Sequence, residues 1–346
     1  MNMQNTRTND SRLAPRAFTL IELLTVIAIL AIVIGIILPI MGSARTAAKK
    51  ADIRVLMSGL AQATAAFEND QRRLPGYFSP RQMGDPLNAG RGFNMMDNIL
   101  IDLVGGITTQ AANGTSILTV GPTPTNTVTI DLTAMGATTQ NRTGAISKSY
   151  LAMDAKRYVA QDAATGARAS NVAAHSLIPA LIDSFGSPIL AWVGDDVPSL
   201  GGFADIDTTL AAPNGARFYQ VQNAGFLNAT ALGKLKEDQR SDTGANKRGS
   251  ALCLIQATGG GTAVTAVQCV KTLEALLGNA SQPVPASATP KPLGIRAPIV
   301  FHSAGPDGLY VGLKDKGARA GFAAYTPNQD PFGGANFDDL IGNAGN

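Results

Sequence analysis

Apolar residues form one continuous stretch near the start of the chain. From Phe18 to Ile40 the sequence reads FTLIELLTVIAILAIVIGIILPI, in which Glu22 is the only charged residue. A helix of about 20 residues, rising 1.5 Å per residue, crosses the roughly 30 Å hydrocarbon core of a bilayer. The pattern therefore predicts a membrane-spanning helix over residues 18–41.

A second pattern follows, in which apolar positions recur at steps of three and four residues. This spacing is typical of an amphipathic helix. The recurring positions are Ile53, Leu56, Met57, Leu60, Thr64 and Phe67. We expect residues 42–76 to continue the membrane helix, giving one helix of roughly 50 residues that ends near Asn69 because residues 73–76 stop it.

The periodicity alone fits two partners for this half of the helix, a domain core or a second helix in a coiled coil. Small residues at Ala47, Ala48 and Ala51 favour close packing on a core.

The order of charged and small residues argues against an ordinary secretory signal. Such a signal has a basic start, an apolar stretch of about 7 to 15 residues and a small-residue cleavage site after it. Here the apolar stretch is longer and the small residue Ala17 precedes it, although residues 42–44 leave a weak conventional site.

Glu22 is unusual because a carboxylate inside an apolar helix costs on the order of 2 to 3 kcal/mol and needs a partner. No basic residue lies nearby along the helix. Cleavage between Ala17 and Phe18 would create an α-amino group at the membrane surface, so Glu22 of one cut chain can pair with the new amino group of another.

Gly and Pro residues divide the rest of the chain into short elements. We predict a helix over 94–104 and strands over 116–120, 127–132, 251–256 and 262–270, while 148–160 fits either a strand or a helix. Five prolines within 281–298 predict an extended surface crossing.

Composition and charge narrow the classes of function that the chain can have. Only 15% of residues are charged and the net charge is +3, to which the first seventeen residues contribute, so the body has no long-range attraction for nucleic acid. The basic residues within 234–248 are interrupted by acidic ones and lack stacking aromatics, which favours a solvated loop. We predict no nucleic-acid partner.

Enzyme chemistry has few candidate groups. His175 and His302 are the only histidines, and no nucleotide-binding, hydrolase or zinc-protease motif is present. His302 and Ser303 are neighbours on a predicted strand, so their side chains point to opposite faces and cannot act as base and nucleophile. We predict a protein that is not an enzyme.

Cys253 and Cys269 lie on the two predicted strands around Gly259-Gly260-Gly261. Paired strands can bring Cα atoms within the range that a disulfide requires, and an exported domain meets oxidising conditions. Either a Cys253–Cys269 disulfide or two buried free thiols fits this arrangement.

Residues 16–24, RAFTLIELL, resemble the cleavage and methylation motif of type IV pilins and type II secretion pseudopilins. The resemblance implies that prepilin peptidase removes the leader 1–17 on the cytoplasmic side and methylates the amino group of Phe18. It also implies that Glu22 serves assembly, and it sets the orientation of the helix. The family normally has Gly where this chain has Ala17. Pro39 falls where many pilins bend, and it predicts a kink or local unwinding within 35–42.

Three short segments later in the chain are similar to the major pseudopilin of type II secretion. They are 182–192 (IDSFGSPILAW), 299–308 (IVFHSAGPDG) and 336–341 (NFDDLI), and the resemblance implies structural turns and strands there. Residues 77–181 have no counterpart, which implies a large insertion in a globular domain over 77–346.

The resemblance also implies a calcium site with Asp307, Asp338 and Asp339 as ligands. Calcium takes six to eight oxygen ligands, and a Gly-rich loop can present backbone carbonyls beside carboxylates. The separation of Asp307 from Asp338 is longer than in the family, so Asp315 or Asp330 are alternative ligands, and solvated turn carboxylates are the other interpretation. No other cofactor is expected.

Together these features predict an α+β pilin fold, with the long N-terminal helix packed on an antiparallel sheet. The resemblance implies a structural subunit of a type II secretion pseudopilus, with a type IV pilus subunit in adhesion or DNA uptake as the alternative. Expected partners are prepilin peptidase, other subunits and the inner-membrane assembly platform. We expect a single-pass inner-membrane protein with its C-terminal domain in the periplasm or outside.

Overall fold

The computed structural model describes residues 19–112, 116–135, 149–152, 154, 156–160, 178–195, 207–209, 217–223, 226, 277, 297–308, 310 and 340–345. The chain divides into two compact units, residues 1–48 and 49–346. The helices are α1 Leu20–Gln71, α2 Pro80–Met83, α3 Asn88–Arg91 and α4 Met95–Val104. The strands are β1 Ile117–Val120, β2 Val128–Asp131, β3 Tyr158–Ala160, β4 Pro179–Leu181, β5 Leu190–Val193, β6 Asp207–Thr209, β7 Arg217–Tyr219, β8 Ile299–Ser303 and β9 Leu340–Ala344. Short 3₁₀ helices span Gln220–Asn223 and Gly305–Asp307.

Helix α1 is a single element of 52 residues, which confirms the predicted long helix. It ends two residues beyond the predicted end, where Arg72 adopts the left-handed conformation at φ 57°. The N–H of Arg72 still donates to the carbonyl of Glu68 at 2.8 Å, so the last turn is closed before the chain departs.

The second half of α1 buries one face within its own chain, as the core-packing interpretation predicted. Ile53, Met57, Leu60 and Phe67 are at most 3% exposed and belong to the main hydrophobic core. The expectation for Ala47, Ala48 and Ala51 is wrong, because all three are exposed in the chain. At 3.6 residues per turn, the three alanines lie off the helix face that carries Ile53, Met57 and Leu60, so they are not directed at the core.

The end of α1 is bonded to helix α4, which confirms the helix predicted over 94–104 but begins one residue later, with Asn94 as its N-cap. Nine of the ten residues of α4 are buried, so it packs in the core rather than on the surface. The guanidinium of Arg73 donates two hydrogen bonds to the carboxylate of Asp102, at 2.6 and 3.0 Å, and the N–H of Gly76 donates a third at 2.7 Å. A bidentate charge-assisted pair of this kind fixes both position and orientation.

The described strands pair antiparallel, which confirms the predicted α+β fold class, and they form four small sheets. The strands predicted over 116–120 and 127–132 are confirmed as the hairpin β1–β2. Strands β5, β8 and β9 form the three-stranded sheet, with β8 in the middle. Ala191, Ile299 and Phe301 on one face of this sheet belong to the same core as α1, and the opposite face is buried as well.

The outer edge of β5 is closed by side chains of the 3₁₀ helix Gln220–Asn223. The Gln222 amide accepts from the N–H of Val193 at 3.2 Å and donates to its carbonyl at 3.0 Å. The Asn223 amide donates to the carbonyl of Ala191 at 2.9 Å. The backbone groups of an edge strand are thus satisfied without another strand.

Strand β9 leaves no room for a side chain opposite Met57. A Cβ atom at Gly342 would lie 2.8 Å from the Met57 Cβ, whereas a Cβ at Gly59 of helix α1 would meet nothing within 4 Å. The glycine at 342 therefore sets how closely β9 approaches α1.

We expect Gly342→Ala to lower the free energy of unfolding of the full chain by about 1 to 3 kcal/mol, because the new methyl group forces Met57 and β9 apart. Gly59→Ala is the matched control, and it should be neutral or raise this free energy by up to about 1 kcal/mol through helix propensity. Urea unfolding followed by fluorescence of Trp192, the single tryptophan and fully buried in β5, measures both. Equal effects of the two substitutions would contradict the close approach.

Candidate assembly site

The first unit presents an apolar helical surface that no described residue covers. Every described large apolar side chain from Leu20 to Met41 is between 43% and 80% exposed. The most apolar 18-residue window of α1 has a mean hydropathy of 3.1 and none of it is buried. Among the described residues, α1 is the one helix long and apolar enough to cross a membrane. The helix fits a single-pass membrane anchor, because exposure of this much apolar surface to water is strongly unfavourable.

Glu22 lies in the first turn of α1, where it closes a capping box with Thr19. The N–H and the hydroxyl of Thr19 both donate to the Glu22 carboxylate at 2.8 Å, and the Glu22 N–H donates to the Thr19 hydroxyl at 3.3 Å. This arrangement satisfies backbone donors that the helix leaves free at its start. The carboxylate therefore has a local partner in addition to the intermolecular amino group that the sequence suggested.

The T-x-x-E spacing at Thr19 and Glu22 is itself a capping-box signal, so this role was readable from the sequence but had been missed.

Ala17 and Phe18 lie outside the described residues. Helix α1 continues through Pro39, so the local unwinding predicted for 35–42 does not occur.

In the second unit, the Asp183 carboxylate joins the segments 182–192 and 299–308. One carboxylate oxygen accepts from the N–H groups of Phe185, Gly186 and Ser187 at 2.8, 2.8 and 2.9 Å. The other oxygen accepts from the Ser303 hydroxyl of β8 at 2.7 Å. Ser303 is in register with Leu340 of β9, so all three segments meet here. We call these residues, 183–187 with Ser303, the Asp183 corner.

The Asp183 corner is a structural arrangement. Burial raises the pKa of Asp183 above its usual value of 3.8, and the hydrogen bonds from Ser303 and the three backbone N–H groups oppose that rise. A buried carboxylate is tolerated where several donors surround it.

A second carboxylate attaches this corner to helix α1. Asp52 of α1 accepts a hydrogen bond from the Ser184 hydroxyl. It also forms an ion pair with Arg157, whose guanidinium nitrogen lies 2.5 Å from a carboxylate oxygen of Asp52. The Ser184 hydroxyl, together with the neighbouring Arg157, holds the pKa of Asp52 below its usual value despite partial burial. The helix and the Ser184 turn are therefore connected by a charged contact.

His302 and Ser303, considered above as a base and a nucleophile, do not form such a pair. Complete burial lowers the pKa of His302 to about 3, so it is neutral at physiological pH, and Ser303 bonds Asp183 on the other face of β8. His175 lies outside the described residues. Within the described part of the chain, no group of three or more His, Cys, Asp or Glu side chains could hold a metal ion.

The calcium and disulfide predictions fall largely outside the described residues. The backbone of Asp307 ends the 3₁₀ helix Gly305–Asp307, and Gly308 follows at φ 74°, as expected for a tight turn. Asp338, Asp339, Cys253 and Cys269 are outside the described part, as are the alternative ligands Asp315 and Asp330. These assignments stay predictions.

Over the described residues, the geometry defines an α+β protein with one uncovered apolar helix near its N-terminus. A family profile described as the prokaryotic N-terminal methylation motif matches residues 13–38, a range that includes Phe18 and Glu22. This match supports a type IV pilin-like precursor, the class whose members are cut by prepilin peptidase and assembled with other pilin-type subunits as structural proteins. No curated protein and no solved structure matches the chain.

Asp183→Ala should lower the free energy of unfolding by about 2 to 4 kcal/mol, because it removes four hydrogen bonds and leaves buried N–H groups without an acceptor. Asp183→Asn is the matched control and should lose less, since its amide oxygen can still accept from the three N–H groups. Because the pKa of Asp183 is raised in the folded state, that state keeps its proton at pH values where the unfolded chain has lost it.

The wild-type protein should therefore gain stability relative to Asp183→Asn as the pH falls through the raised pKa, and the gain should level off near 3.8. Urea unfolding of both proteins at a series of pH values measures this difference. A relative loss on acidification would contradict the assignment.

Proposed function

We propose that the chain is a structural subunit of a type II secretion pseudopilus, assembled through helix α1 after prepilin peptidase removes residues 1–17. The observation that carries the proposal is the apolar surface from Leu20 to Met41, which no described part of the chain covers and which coincides with the matched motif. Such a surface needs lipid before assembly and the helices of neighbouring subunits afterwards.

The pseudopilus rather than a type IV pilus is supported by the Asp183 corner. The segments 182–192 and 299–308 resemble the major pseudopilin separately in sequence, and they share the Asp183–Ser303 hydrogen bond. Strand β9, which begins inside the third segment, pairs with β8 beside it. Distant segments that resemble one family and form one corner are more specific support than any of them alone.

The partners that follow from this proposal are prepilin peptidase, the inner-membrane assembly platform and other pilin-type subunits. The chain is anchored once in the inner membrane with its C-terminal domain on the outer side. Deletion of the gene should leave secreted enzymes in the periplasm while surface pili remain. Loss of surface pili with normal secretion would instead favour the type IV pilus.

Processing is the first consequence of this proposal. We expect the mature protein to begin at N-methylated Phe18, because the leader is basic and precedes the apolar helix. Intact mass spectrometry of the membrane fraction measures the new N-terminus. Ala17→Gly should leave processing unchanged or faster, whereas the bulkier Ala17→Leu should block it. A mature chain starting at Met1 or Arg45 would rule the proposal out.

Glu22 has two separable tasks, capping helix α1 and pairing with the amino group of a neighbouring cut subunit. Glu22→Ala removes both, and Glu22→Gln keeps an oxygen that can accept from Thr19 but removes the charge. We expect both variants to insert in the membrane and to fail in filament assembly, because the ion pair needs the charge.

Thr19→Ala is the control that weakens the cap and leaves the carboxylate, so it should still assemble. Quantitative immunoblotting of sheared filaments against the membrane fraction measures incorporation of each variant. Assembly of Glu22→Gln at the wild-type level would show that capping, and not charge, is what Glu22 provides.

We also propose a calcium ion bound by Asp307, Asp338 and Asp339. The 3₁₀ helix Gly305–Asp307 ends at Asp307. A Gly-rich turn can present backbone carbonyls to calcium, and a bound ion would hold the C-terminal segment to this turn. A ligand bound only by the folded protein raises its melting temperature. Thermal unfolding of the full chain with millimolar calcium should therefore give a higher midpoint than with excess chelator, and Asp338→Asn/Asp339→Asn should remove the difference. Identical midpoints for the wild-type protein would eliminate the site.

A further inference from the structure

The turns of helix α1 that follow the apolar segment are basic. Residues 42–54 contain the four cations Arg45, Lys49, Lys50 and Arg54 and a single acid, Asp52. Arg45 and Lys49 are exposed and Lys50 is partly exposed. Surface cations are common on helices, so what their charge can attract depends on whether nearby carboxylates already neutralise it.

The single acid of this stretch is engaged elsewhere. Asp52 is held by Ser184 and Arg157, which belong to other parts of the second unit. Within the described residues, no ion pair involves Arg45, Lys49 or Lys50. Lys49 places its Nζ atom 5.0 Å from the centroid of the Phe185 ring, a contact that positions the ammonium group without neutralising it. The positive charge of this stretch is therefore available to an external anion.

Distance along the helix indicates where these cations lie relative to a bilayer. At 1.5 Å per residue, Arg45 follows the end of the apolar stretch at Ile40 by about 7 Å, and Lys49 and Lys50 by about 14 to 15 Å. The headgroup layer adds about 5 to 7 Å beyond each side of the hydrocarbon core. Long basic side chains extend back toward a membrane surface, which brings Arg45 to the level of the phosphates and leaves Lys49 and Lys50 within a Debye length of about 8 to 10 Å from them. Arg54 lies about 21 Å beyond Ile40 and falls outside this range.

We infer that Arg45, Lys49 and Lys50 bind the phosphate groups of anionic phospholipids in the leaflet from which the C-terminal domain emerges. Clusters of cations next to a membrane helix attract acidic lipids, and the attraction falls off within a Debye length. This inference rests on the membrane anchor of the proposed function. It adds a lipid preference to that anchor, which sets the depth of the helix before the subunit joins a filament.

The test uses the full chain in nanodiscs made of equal parts phosphatidylglycerol and phosphatidylcholine. Native mass spectrometry counts the lipids that stay with the protein when the disc is removed. For the wild-type chain we expect phosphatidylglycerol to be enriched at least about twofold over the disc composition. R45Q/K49Q/K50Q should return to the disc composition. R54Q/R72Q/K156Q removes the same charge from exposed positions farther along the chain and should keep the enrichment.

The outcomes separate the lipid contact from the anchor on which it rests. A chain that is washed from the bilayer at alkaline pH contradicts the anchor, and the lipid contact with it. A chain that stays embedded and shows no enrichment, or equal enrichment in both triple variants, overturns the lipid contact alone. If the wild-type chain shows no enrichment and R45Q/K49Q/K50Q forms no filaments, the lipid contact is overturned and these cations instead bind an acidic surface of a neighbouring subunit.

Discussion

The governing constraint in this protein is that the first half of helix α1 is apolar on every side and has no cover within the described chain. Side chains from Leu20 to Met41 can leave water only in a bilayer or among equivalent helices. The charged residue in this stretch is placed accordingly. Glu22 lies in the first turn, where Thr19 and the free N–H groups of the helix end stabilise a carboxylate.

The same helix meets the opposite requirement in its second half, where one face must be buried and the other must stay in water. Met57 and Phe67 supply the buried face, and Gly342 lets strand β9 approach it closely. Two contacts of carboxylates then fix the orientation of this half of the helix. Asp52, near its start, accepts a hydrogen bond from Ser184, and Arg73, just after Gln71, forms an ion pair with Asp102. The second half of α1 is thus held within the second unit by packing and by directional bonds together.

Local periodicity was sufficient to predict helix α1, helix α4 and the hairpin β1–β2, because each depends on neighbours within a few residues. It failed where the outcome depends on distant partners. Ala47, Ala48 and Ala51 were expected to pack on the core, yet they lie off the helix face that carries the buried residues. The hydrogen bond between Asp183 and Ser303 joins positions 120 residues apart. Only the resemblance of both segments to the major pseudopilin suggested that they belong together. The Thr19–Glu22 cap was local and could have been recognised from its spacing.

The three-stranded sheet of β5, β8 and β9 offers a further reason why assembly should proceed through helix α1. An edge strand with free backbone groups can add a strand from another chain, and many assemblies grow in that way. At the outer edge of β5, the Gln222 amide already occupies both backbone groups of Val193, and Asn223 occupies the carbonyl of Ala191. Growth by strand addition at this edge would have to break these bonds, whereas helix α1 can pack on other helices without losing any internal contact. Within the described part of the chain, the apolar half of α1 is therefore more readily available for contacts between subunits than this edge of the sheet.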